Sequence, residues 1–183
     1  SDWESRKEVS ITNDGTSELA DFPVYIKVAD DADMQADYDD LRFVNGSCDE
    51  GASAVELAYE LENYTATNAY TWVKIPAFST GVNSICMYYN NSGAASGQDK
   101  TSVWEDQYRG VWHMNETNAT DSTTYSNDGL ESGGVTTNLT GKVGQANQFD
   151  GINDYINCGD DGSLDISENI TIEAWVKKSP AVI

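Results

Sequence analysis

Short runs with an apolar residue at every second position recur along this chain, separated by glycine, asparagine and aspartate. That spacing limits how the chain can fold more than any other feature. Val24, Ile26 and Val28 alternate with Tyr25 and Lys27, and Val55, Leu57, Tyr59 and Leu61 alternate with Glu56, Ala58, Glu60 and Glu62. Successive side chains of a strand point to opposite faces, so a period of two marks a sheet with one face on a core. The same reading places strands at Val9 and Ile11, at Leu41 to Val44, at Tyr70 to Pro76 and at Ser84 to Tyr89. Pro23 stands at the mouth of its run, where no ladder donor is needed. Short polar connections between these runs predict an antiparallel β-sandwich or meander. The face carrying Glu56, Glu60 and Glu62 is expected to meet water or cations.

The second half reads differently. Asn90 to Gln98 is small and polar, as a linker would be, and Thr101 to Tyr108 is expected to form two helical turns behind an N-cap-like Thr101. These turns would set Val103, Trp104 and Tyr108 against a sheet. Within Gly141 to Gly159, two strands, Ala146 to Phe149 and Tyr155 to Cys158, are expected to pair through the turn Asp150-Gly151-Ile152-Asn153-Asp154. Ile170 to Val176 is a further period-two strand.

The chain has 183 residues, 39% hydrophobic and 10% aromatic, enough for a real core. Its 31 acidic against 10 basic residues give a net charge of −21. Nucleic acid and anionic membrane surfaces are therefore poor partners, since both need a basic footprint. Divalent cations, cationic partners or a high-salt habitat fit better. No apolar run is long enough to span a membrane. The chain starts at Ser1 without a signal-like segment, as a mature or trimmed product would. Asp30 to Asp40 packs six carboxylates into eleven residues, without the spacing of an EF-hand loop.

Asn45, Asn63, Asn90, Asn115, Asn118, Asn138 and Asn169 all open N-x-[ST] sequons. Seven is more than the roughly three that 15 Asn and 32 Ser plus Thr would give by chance. The excess predicts an extracellular, N-glycosylated protein. Cys48, Cys86 and Cys158 lack metal-ligand spacing. A single disulfide, taken as Cys48 with Cys86, an intermolecular bridge and buried thiols are all open readings.

Two resemblances follow from the motifs. Trp3 with Arg6, Asp21-Phe-Pro-Val-Tyr-Ile26, Asp40-Leu-Arg-Phe43, Tyr59-Glu-Leu-Glu62, Trp72 to Pro76 and Met87-Tyr-Tyr-Asn90 together resemble a domain family of unknown function. That family occurs in secreted and surface proteins of archaea and bacteria, and the likeness runs over roughly Asp2 to Ser96. Asp121-Ser122, Ser126-Asn-Asp-Gly129, the Gly141 to Tyr155 stretch and Ile170 to Val176 resemble the opening half of a concanavalin A-like, laminin-G-like jelly roll, over Val111 to Lys178. The resemblances imply three parts: residues 1–96 a β-sandwich domain, 97–110 a linker with a short helix, and 111–183 an incomplete jelly-roll module. About 70 residues remain after Gly110, roughly half of what such a module needs. The shortage fits a fragment, a fusion of both halves into one sandwich, or completion by a strand from a neighbouring subunit.

The chemistry favours binding over catalysis. His113 lies between Trp112 and Met114, where a packed histidine is expected, and no nucleophile elbow, zinc-protease pair or phosphate loop is present. No enzyme activity is expected. The laminin-G-like resemblance implies Ca²⁺ held by Asp121, Asn127 and Asp150, an all-oxygen set suited to that ion. Trp72 and Trp175 are the candidates for stacking on a sugar ring. The leading expectation is a structural or adhesive surface glycoprotein that self-assembles into a filament or surface layer, with copies of itself as partner. The alternative is a monomeric carbohydrate-binding module whose partners are cell-surface glycans.

Overall fold

The computed structural model describes residues 3–49, 55–105, 108–115 and 119–178. Seven strands build the first part: β1 (Ser5–Asn13), β2 (Leu19–Ala29), β3 (Arg42–Asn45), β4 (Glu56–Leu57), β5 (Tyr59–Thr65), β6 (Asn68–Phe78) and β7 (Gly81–Tyr89). They form two antiparallel sheets, ordered β1-β7-β3-β4 and β2-β6-β5. β1 pairs with β7 from Ser5 opposite Tyr89 to Asn13 opposite Gly81, and β2 with β6 from Leu19 opposite Phe78 to Ala29 opposite Asn68. The protein is an all-β sandwich.

The alternating residues explain how the sheets close on each other. Ile11, Phe43, Leu57, Ile85 and Met87 from the first sheet meet Ile26, Val28, Tyr59, Val73 and Ile75 from the second, with Tyr38 and Leu41 added from the connecting loop. Phe43 and Tyr59 pack edge to face at 5.3 Å. Each large side chain so buried contributes about 1.5–3 kcal/mol. Asp40 is fully buried and ties the loop down: one carboxylate oxygen accepts from Gln35 N and the other from Asn90 N. Asp40 thus acts as a structural acceptor within the acidic stretch. Cys48 and Cys86 are joined by a disulfide, while Cys158 is a free thiol.

Three expectations change. The run from Val55 to Leu61 is not one strand but two, because the chain leaves the first sheet after Leu57 and enters the second at Tyr59. Strands that switch sheets turn the corner of a sandwich, and alternation alone does not mark the switch. Val55 is consequently 66% exposed. The helix is a single turn, α1 (Lys100–Val103), capped by Asp99 rather than Thr101: the Asp99 carboxylate accepts from Ser102 N.

The third change concerns β8 (Leu130–Ser132), β9 (Thr136–Thr140), β10 (Gln145–Gln148) and β11 (Tyr155–Asn157). The two strands expected to pair with each other, β10 and β11, instead pair with β9 and β8. The intervening turn does form as an Asx turn, with Asp150 Oδ1 accepting from Ile152 N. Its position is set by Gly133, at φ +88°, where a Cβ would stand 2.3 Å from the Asn153 carbonyl oxygen. Close backbone approach, rather than local turn chemistry, therefore selects the partners. Among the described residues, Ile170 to Val176 joins no ladder.

Candidate functional site

The outer face of the β2-β6-β5 sheet is covered over β5, while Lys27 on β2 stays exposed. Glu60 and Glu62 on β5, expected to face water or cations, are only 5% and 7% exposed. The cover comes from Trp104, His113, Asn115 and Ser122, and the cation is His113. Its Nε2 lies 3.0 Å from Glu60 Oε2 and its Nδ1 3.3 Å from Glu62 Oε2. Trp104 Nε1 donates to Glu60 Oε2 at 2.5 Å, Ser122 Oγ to Glu60 Oε1 at 2.5 Å, and Trp72 Nε1 to Glu62 Oε2 at 2.6 Å. Asn115 Nδ2 donates to the Glu62 carbonyl. The indoles of Trp72 and Trp104 pack edge to face at 5.3 Å, and the imidazole lies 6.3 Å and 5.9 Å from them.

The electrostatics follow. Burial pulls the His113 pKa down, but hydrogen bonds and charge from Glu60 and Glu62 outweigh it and raise the value to about 9. Burial pushes Glu60 up, yet the His113, Ser122 and Trp104 bonds together hold its carboxyl below the usual range. His113 is thus an imidazolium clamped between two carboxylates. Ser122 donates to Glu60, a carboxylate, so it is not placed as a histidine-activated nucleophile. A polar recess of about 190 Å³ borders the cluster, lined among others by Lys100, Gln98 and Thr120.

Beside it, Asp121 organises the following loop. Oδ1 accepts from Val111 N and Thr123 N, and Oδ2 from Thr123 Oγ1 and Asn127 N. Asn127 in turn donates to the Arg109 carbonyl, and its Oδ1 accepts from Ser163 Oγ. Asp121 and Asn127 are therefore brought together, but their oxygens are occupied by hydrogen bonds. Asp150 belongs to its own turn, where the Ile152 N–H holds its carboxyl below the usual range. Among the described residues no hydrogen bond links Asp150 to the other two, and no cluster of three His, Cys, Asp or Glu could hold a metal. The side-chain oxygens of Asp121 and Asn127 are thus engaged around their loop and Oδ1 of Asp150 within its own turn.

The remaining candidate residues sort by exposure. Trp72 is half-buried with its N–H engaged, unlike an open stacking ring. Trp175 is 79% exposed, with Lys142 Nζ 5.6 Å from its ring. Asn45, Asn138 and Asn169 are exposed, Asn63, Asn90 and Asn115 are half-buried, and Asn118 lies outside the described residues. The Glu60-His113-Glu62 cluster was missed because its members are far apart in sequence. The one available signal was two carboxylates and a tryptophan on the polar side of adjacent strands.

A two-sheet sandwich whose second sheet is covered over β5 by a charged and aromatic lid defines the class of protein. The chain belongs to the family described as a domain of unknown function (DUF2341), whose match covers residues 37–133. That stretch begins before β3 and continues past Ser96 through the lid, so Glu60, Glu62, His113 and Asp121 all fall inside it. No curated protein and no solved structure matches the chain. Among the described residues no helix is long and apolar enough to cross a membrane.

Proposed function

We propose that this protein is an extracellular structural or adhesive glycoprotein, a subunit that assembles at the cell surface by strand exchange. Its C-terminal part would be the start of a laminin-G-like, concanavalin A-like module. One observation carries the reading: Ile170, Ile172 and Val176 are 59%, 82% and 84% exposed in a strand-patterned segment that pairs with no described strand. A strand-patterned segment without a ladder is a donor waiting for an edge. The sheets β8/β11 and β9/β10, two strands each, are marginal alone and gain from added strands. The exposed sequons and the Cys48–Cys86 disulfide suit an oxidising, extracellular setting.

The test is imaging and light scattering of the protein purified from its source, with and without a calcium chelator. Filaments or sheets support a structural subunit, and chelator sensitivity would give cations a role in assembly; a monomer under both conditions refutes it. A second reading, a carbohydrate-binding module, is favoured by the open Trp175 ring. Loss of glycan-array binding on Trp175→Ala would establish it.

A further inference from the structure

A recess of about 250 Å³ opens along the flank of the sandwich between β1 and β2. Val9, Ile26, Val28, Met34 and Met87 line it. β1 and β2 are the outermost strands of their two sheets, so both present unpaired backbone N–H and C=O groups there. Ile26, Val28 and Met87 belong to the core cluster, and the recess therefore opens directly onto the core. Pro23 and the left-handed Asp21, φ +49°, interrupt the entry half of β2 and leave its stretch from Val24 to Ala29 as the usable edge.

Building on the strand-exchange reading, we propose that this flank is the acceptor groove for the segment Ile170 to Val176 of a second copy of this chain. Once extended as a strand, the segment would carry Ile170, Ile172, Ala174 and Val176 on one face at the two-residue spacing that an added strand needs. That face is exposed along its whole length, as is Trp175 on the other face, where Lys142 Nζ stands 5.6 Å from its ring. On the β2 wall charge favours one direction, while Lys7 and Glu8 of β1 line the opposite wall. Asp30 and Asp31 close one end of the groove and Lys27 stands beside it, while the segment carries Glu173 and ends in Lys177-Lys178. Lys27 and Asp31 are four residues apart, as are Glu173 and Lys177. A segment running the same way as β2 brings opposite charges together at both places, and running the other way opposes like charges. Residues 14–18 return the chain from β1 to β2, so the donated strand is antiparallel to β1, the better ladder.

The experiment adds a synthetic peptide of residues 168–178 to the natural protein and reads backbone hydrogen exchange together with light scattering. The expected result is slowed exchange in β1 and in Val24 to Ala29, with assemblies dissociating as the peptide caps the groove. Ile172→Ser in the peptide should weaken binding on the order of tenfold. Peptide Lys177→Glu/Lys178→Glu should weaken it about threefold and be restored by Asp30→Lys/Asp31→Lys in the protein. Protection confined to β8 to β11, or no protection while assemblies persist, overturns the groove and leaves strand exchange intact. A protein monomeric without peptide overturns the functional reading, and with it this one.

Discussion

The residues before β8 and those after it follow the same alternating pattern to different ends. The sandwich buries Phe43, Leu41, Val73 and their neighbours almost completely, while no described residue from Leu130 to Lys178 is buried. Alternation tells a strand which face to hide but not what will cover it. In the first part both sheets lie within the chain; in the second the apolar face of Ile170 to Val176 meets no described element.

The largest effect that would sharpen this contrast is truncation in each part. Phe43→Ala should lose about 3–5 kcal/mol in denaturant unfolding, and Ile172→Ala less than about 0.5 kcal/mol. An equal loss from both would break the comparison. Removing the disulfide by paired Cys48→Ala and Cys86→Ala, or by a reductant, should cost about 4 kcal/mol for a separation of 38 residues.

His113→Gln should come next, at about 3 kcal/mol, because it leaves two buried carboxylates without their cation. The pH dependence has a definite sign. The folded pKa of about 9 is above the ordinary 6.5, so the contribution is complete below pH 6.5 and fades as pH rises through 9. Glu60 works the other way: its contribution is present above the ordinary carboxyl value of 4.5 and is lost as pH falls through the lowered folded value. Thermal unfolding across pH 5 to about 10 should therefore show an alkaline decline in the natural protein that His113→Gln lacks. The smallest effect concerns glycans. Peptide mapping should find Asn45, Asn138 and Asn169 occupied and Asn115 bare, because its amide nitrogen donates to the Glu62 carbonyl.

The sandwich was legible because each strand from Ser5 to Tyr89 repeats its core residues at a fixed spacing. Pairing beyond that point was not. The Asp150 to Asp154 turn has the chemistry of a hairpin, yet β10 and β11 part company because Gly133 lets the end of β8 reach the turn backbone. The lid was harder still: Glu60 and His113 are 53 residues apart, and only folding gives the acidic face of β5 its counter-ion. Asp121 and Asn127 were singled out together and do meet, as hydrogen-bonding partners in a loop.

The clamp also supplies a built-in optical reporter. Two of the five tryptophans, Trp72 and Trp104, lie within 6.3 Å of the His113 ring, and a protonated imidazole quenches indole emission. Titration past pH 9 should brighten the natural protein, so the state of the lid can be followed by its intrinsic fluorescence alone.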